Sequence, residues 1–86
     1  MSFYVYMIIS KHNDKLQSYV GYTNNLGNRI RLHNTSKGAK FTKGKLWRLI
    51  YFEKYQNKVE AMKNEYRLKK NYKLRTKIKK KFLINE

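Results

Sequence analysis

Cysteine is missing from all 86 residues, so neither a disulfide nor a thiolate metal site is available. Long apolar runs are missing as well. No window approaches the roughly 18 apolar residues of a membrane span, and no charged-then-apolar-then-small signal segment opens the chain. A soluble, cytoplasmic protein with no membrane partner is expected. Acidic side chains are scarce: five Asp and Glu stand against 21 Lys and Arg, for a formal net charge of +16. Any carboxylate chemistry must therefore come from a handful of positions, each of which can be weighed by itself.

Apolar residues make up 41% of the chain and aromatic residues 15%, which is enough for a globular fold. A chain this short has one core, so a single domain over residues 1–86 is expected. Such a core is only marginally stabilising, and most apolar positions should be needed for folding. The charge imbalance would repel itself unless something anionic were bound, and it points to a polyanion held through counterion release. Codon bias in an AT-rich genome, which favours Lys, Asn, Ile and Tyr, is the competing explanation. The basic residues are spread along the chain and form no single amphipathic helix, which argues against a membrane-surface role.

Phe3 to Ser10 is rich in β-branched and aromatic residues and reads as a strand buried on both faces. His12-Asn13-Asp14-Lys15 supplies turn chemistry, and Leu16 to Tyr22 reads as the return strand of a hairpin. From about Asn25 to Asn34 the spacing of Leu26, Ile30 and His33 predicts a helix, with Thr23 and Asn24 as caps. Thr35 to Lys45 has two glycines and four lysines with little periodicity, the composition of a mobile basic loop. Leu46 to Tyr55 reads as a third strand around Leu49-Ile50-Tyr51-Phe52. Asn57 followed by Glu60 resembles a capping box, opening the longest helix through about Asn71. Leu74, Ile78 and Phe82 then mark a short amphipathic helix to Ile84. The fold class is α+β: a small three-stranded antiparallel sheet flanked by helices, in ββαβα order with a C-terminal helix.

Among the acids, Asp14 falls in the turn, Glu86 ends the chain, Glu60 caps a helix, and Glu53 sits in the third strand. Glu65 differs. Val59, Met62 and Tyr66 cluster on one side of its helix, Ala61, Leu68 and Tyr72 extend that apolar arc, and Glu65 falls inside it. A buried carboxylate without a partner costs several kcal/mol, so a cation of the protein or a bound metal must hold it. A salt bridge to Lys or Arg is the plain alternative. On the first helix, Arg29 and His33 are i, i+4 neighbours flanking the Leu26 and Ile30 face. Snorkelling of Arg29 and a hydrogen-bonded His33 would explain them without chemistry. Tyr4 and Tyr6 share one face of the first strand and Tyr19 stands on its partner, although strands favour tyrosine anyway.

At these residues the sequence resembles the GIY-YIG nuclease superfamily. Tyr4-Val5-Tyr6 stands where the first triad would be and Tyr19-Val20-Gly21 where the second would be. Arg29 follows Tyr19 by ten residues, His33 follows Arg29 by four, and Glu65 lies in a helix after the third strand. The spacing is similar to the N-terminal nuclease domain of UvrC and the catalytic domain of phage homing endonucleases. GAKFTKG and EAMKNEYRLKK look most like the small stand-alone bacterial branch. Tyr4 replaces the glycine of the first triad, and Val5 and Val20 replace isoleucines.

The resemblance implies metal-dependent hydrolysis of phosphodiester bonds, in DNA ahead of RNA, in repair or processing, by a monomer or weak dimer. It implies catalytic roles for Tyr6, Tyr19, Arg29, His33 and Glu65, with Glu65 holding one Mg²⁺ or Mn²⁺ ion largely through retained waters. Arg29 would bind nonbridging oxygens, Tyr6 would take the water's proton with Tyr19 positioning that water, and His33 would bond the phosphate or Tyr6. As a base, Tyr6 requires nearby cations to depress its pKa. Lys37, Lys40, Lys43 and Lys45 would track the nucleic-acid backbone without reading bases. Gly21 reads as structural, through a bulge or a close backbone approach. Two other readings stay open: a non-catalytic nucleic-acid-binding module, and an interaction factor for a ribosomal or repair partner.

Overall fold

Aromatic and β-branched residues dominate Phe3–His12, and this segment forms the central strand β1. The computed structural model describes residues 2–12 and 14–84; Asn13 of the expected turn and the terminal Glu86 lie outside the described residues. Strand β2 (Lys15–Thr23) returns antiparallel to β1, α1 covers Leu26–Asn34, and β3 (Arg48–Tyr55) pairs antiparallel with β1 on its other side. Helices α2 (Lys58–Lys70) and α3 (Tyr72–Ile84) complete the ββαβα order with its terminal helix. The sheet order is β2-β1-β3. The hairpin ladder runs further than its apolar run, to His12↔Lys15, because backbone pairing does not depend on side-chain polarity. Asp14 turns the chain with φ 64, a left-handed conformation that Asp tolerates.

Being central, β1 is buried on both faces, and Val5 through Ile9 are each at most 4% exposed. Alternation then splits it. Val5 and Met7 pack with Val20, Ala61 and Leu68 on one face, while Tyr6 and Ile8 pack with Trp47, Tyr19, Leu26, Ile30 and Leu49 on the other. Helix α2 thus covers one face and α1 the other, with β2 as an edge strand between them.

Several local expectations are corrected. Asn25, not Thr23 or Asn24, caps α1, accepting from Asn28 N–H at 3.1 Å; Thr23 Oγ1 instead accepts from Asn25 N–H. The third strand begins two residues late, because Leu46 is exposed and Trp47 turns into the core, its indole N–H donating to Thr42 O at 2.9 Å. Helix α3 begins early, since Asn71 Oδ1 caps it at Leu74 N–H. On α2, Val59, Met62 and Tyr66 are 59%, 46% and 61% exposed, while Ala61 and Leu68 on the opposite side are buried. Ala61 and Leu68 pack with Val5, Met7 and Val20, so their side of the helix, not the Val59, Met62 and Tyr66 side, meets the sheet. The basic loop is anchored rather than slack. Thr42 is fully buried, Lys37 N–H donates to Leu32 O, and Gly44 N–H donates to Ser36 Oγ.

Candidate active site

Tyr6 and Gly21 are direct partners across the β1–β2 pair, and their shared face explains the site's first feature. With no side chain at position 21, the Tyr6 phenol lies over β2; a Cβ there would sit 2.5 Å from Tyr6 Oη. No register shift accompanies Gly21, so the close approach is what its glycine serves. Tyr4 has no positive φ among the described backbone, so it stands in the first triad's glycine position without strain.

Tyr6 is fully buried and its hydroxyl lies 2.7 Å from His33 Nε2. His33 closes the last turn of α1, equally buried, with Nδ1 2.8 Å from Thr42 Oγ1. Gly38 passes so close to the imidazole that a Cβ there would strike Nδ1. Tyr19 meets His33 edge-on at 5.1 Å and stacks with Phe41 at 6.3 Å.

Arg29 stands one turn before His33 on α1, with its Nε buried and without a hydrogen-bond partner among the described residues. Glu65 reaches the same space from α2, because it shares the Ala61 and Leu68 side of that helix. Its side chain is 18% exposed and pairs with Lys69 Nζ at 3.6 Å. The salt-bridge alternative is thus realised, but Lys69 is half exposed, and such a pair contributes little.

A cleft of about 550 Å³ at the β2 edge joins these groups, lined by Tyr6, Tyr19, Gly21, Thr23, Arg29, Lys58 and Glu65 among others. Four of the five expected site residues line it. His33 stands behind Tyr6 and touches its hydroxyl. None of the four loop lysines lines this cleft. Lys37, Lys40 and Lys43 border a separate dip in the loop, and Lys45 Nζ donates to Phe41 O and sits 4.1 Å over the Phe41 ring. Sequence reasoning passed over Lys58 and Thr42 and set Gly21 aside. Lys58 had a signal, lying two turns before Glu65 on the same helical face; Thr42 had none.

Burial pushes the Tyr6 hydroxyl up to about 12, and the nearby Arg29 guanidinium only partly opposes it. The expectation of a cation-depressed tyrosine is therefore corrected, since desolvation outweighs the arginine. Burial, then Arg29, lowers His33 below its ordinary value, which keeps the resting imidazole neutral, with one ring nitrogen left to accept a hydrogen bond. The described residues contain no group of three or more His, Cys, Asp or Glu that could hold a metal. A lone carboxylate in a polar cleft still suits Mg²⁺, which keeps most of its waters and often takes one or two carboxylates.

The GIY-YIG catalytic domain family model matches residues 2–79. A UPF0213 protein of Oceanobacillus iheyensis is 52% identical over 59% of this chain, one of Clostridium perfringens 46% over 78%, and one of Staphylococcus haemolyticus 45% over 77%. The matches span 60%, 70% and 78% of those relatives' own lengths. The solution NMR structure of a UPF0213 protein from Bacillus halodurans is 35% identical, with a TM-score of 0.46, and the match covers 99% of this chain and 84% of that one. No helix among the described residues is long and apolar enough to cross a membrane. With the family match running from the first strand into α3, and both tyrosine triads, Arg29 and Glu65 inside it, the chain belongs to the GIY-YIG catalytic domain family.

Proposed function

We propose that this chain is a nuclease that hydrolyses phosphodiester bonds in nucleic acid, DNA ahead of RNA. One observation carries the reading: one cleft is lined by an arginine, two tyrosines and a carboxylate, and the buried Arg29 Nε has no hydrogen-bond partner among the described residues. An orphaned buried donor is costly, and a nonbridging phosphate oxygen is the acceptor it suits, since the planar guanidinium matches phosphate geometry. Lys58 adds positive charge to the rim.

Tyr6 takes a proton from the attacking water and passes its own hydroxyl proton to His33 Nε2. That hand-over removes the need for a standing tyrosinate, which a hydroxyl near 12 would rarely supply. Tyr19 orients the water, and Arg29 stabilises charge on the phosphoryl oxygens. Glu65 is the residue that would hold one Mg²⁺ or Mn²⁺ ion, which when bound supplies Lewis acidity at the phosphate and leaving oxygen. Lys37, Lys40 and Lys43 hold the nucleic-acid backbone away from the cleft.

The Glu65–Lys69 pair favours a second reading, a nucleic-acid-binding module without catalysis. Incubation of plasmid, hairpin and single-stranded substrates with Mg²⁺ or Mn²⁺ separates the two. Metal-dependent cleavage by the wild type, abolished in Glu65→Gln with fold and binding retained, is the expected result. Salt-sensitive binding with no cleavage under either ion establishes the module instead.

A further inference from the structure

Thr42 sits in a lysine-rich loop, yet its side chain is fully buried behind the His33 ring. Three polar atoms surround Thr42 Oγ1: His33 Nδ1 at 2.8 Å, Ala39 O at 3.0 Å and Ala39 N at 3.2 Å. A hydroxyl has one proton to give and two lone pairs to fill. Ala39 O can only accept and Ala39 N–H can only donate. With the hydroxyl proton on Ala39 O, both lone pairs are free to accept, one from Ala39 N–H and the other from His33 Nδ1–H. His33 Nε2 is then bare and accepts from the Tyr6 hydroxyl at 2.7 Å. Every proton in the chain Tyr6–His33–Thr42–Ala39 has an acceptor.

The reverse direction is poorer. If Thr42 donated to Nδ1, the bond to Ala39 O would be lost. Nε2–H would then point at the Tyr6 oxygen, and the Tyr6 proton would have no acceptor within the Tyr6–His33–Thr42–Ala39 network. Cooperative networks settle into the direction that satisfies all members.

We propose that Thr42 is a positioning residue, whose buried hydroxyl fixes His33 as the Nδ1–H tautomer and so presents Nε2 to Tyr6 as a proton acceptor. The inference rests on the nuclease reading for its catalytic consequence, but not for the tautomer itself. In the transfer, the Tyr6 O–H bond breaks and an Nε2–H bond forms. The resulting imidazolium keeps its Nδ1–H on Thr42 Oγ1, and the tyrosinate is neutralised by the proton of the attacking water. The surroundings hold Thr42 in place for this. Its carbonyl receives the Trp47 indole N–H at 2.9 Å, its N–H donates to Ala39 O, and the absent side chain of Gly38 leaves room for the ring.

Imidazole nitrogen chemical shifts of the full chain, free of metal and substrate, read the tautomer directly. His12 is the one other histidine, and a His12→Gln variant assigns the signals. A bare Nε2 and a protonated Nδ1 are expected at neutral pH. Thr42→Val, which keeps the shape and removes the hydroxyl, should move the proton to Nε2. It should also lower cleavage toward the loss of the ~10²–10⁴-fold that general-base catalysis supplies. Thr42→Ser should restore both. A wild-type Nε2–H tautomer overturns the proposal, as does a Thr42→Val protein with unchanged tautomer and rate. If the valine variant does not fold, the wild-type and serine signals decide. A tautomer that follows Thr42 in a protein that never cleaves supports the positioning role and overturns the nuclease reading.

Discussion

Gly21 joins backbone to chemistry at a single position. Alanine there would place a methyl group 2.5 Å from Tyr6 Oη, at the end of a rigid, buried ring that His33 holds. The phenol cannot swing away without giving up that hydrogen bond. Gly21→Ala should therefore destabilise the wild type and depress cleavage, while on a Tyr6→Phe background, which vacates the hydroxyl's space, its cost should shrink. Chemical denaturation of the two single variants and the double variant should give a coupling of about 0.5–3 kcal/mol. Strict additivity would sink the account. Position 21 was readable as a close approach from the glycine itself, but not what approached it. The partner depends on strand register, and the apolar runs of the hairpin leave register open by several residues. Arg29 and Glu65 were readable because each is an ionic group set against an apolar helix face. Thr42 was not, since one hydroxyl among lysines has no periodicity to mark it.

Among the elements, α2 separates what pattern reveals from what packing decides. Asn57 and the spacing of apolar residues announced the helix, and Asn57 Oδ1 does accept from Glu60 N–H. The buried side differs from the one that apolar bulk predicts, because the apolar residues of α2 lie on more than one face. The contact with the sheet went to Ala61 and Leu68, which share one side of the helix and pack with Val5, Met7 and Val20. Leu68→Ala should accordingly cost about 2–5 kcal/mol as a buried large-to-small change. Met62→Ala and Tyr66→Ala should stay within about 0.5 kcal/mol, as exposed changes do. Thermal melts rank the three, and a Met62 or Tyr66 loss matching that of Leu68 would mean that α2 packs by its other face. Glu65 belongs to the packed side because Ala61 stands one turn before it.

For the molecule as a whole, buried titratable groups set the pH range of stability. His33 is lowered by burial, so the unfolded chain takes its proton more readily; the stabilisation is complete above the ordinary 6.5 and is lost as pH falls toward the folded value. Tyr6 is raised from 10.0 to about 12, so its contribution is complete below 10 and is lost as pH climbs through about 12. That shift corresponds to roughly 2–3 kcal/mol. Melting temperatures should hold between these bounds and fall on the acid side, with so few carboxylates to blame. On the alkaline side, neutralising lysines relieves the self-repulsion of a +16 chain, so the comparison must be made against Tyr6→Phe. The wild-type advantage over that variant should shrink between pH 10 and 12, and a constant gap would refute the buried-phenol account. The strand order carries a further consequence, for the order of synthesis. β1 and β2 leave the ribosome first and can pair at once, but the sheet face of Val5 and Met7 stays bare until α2 follows, and Glu65 arrives with it. A nascent chain thus carries Tyr6 and Arg29 before it carries Glu65, so the cleft that all three line cannot form until α2 has been made.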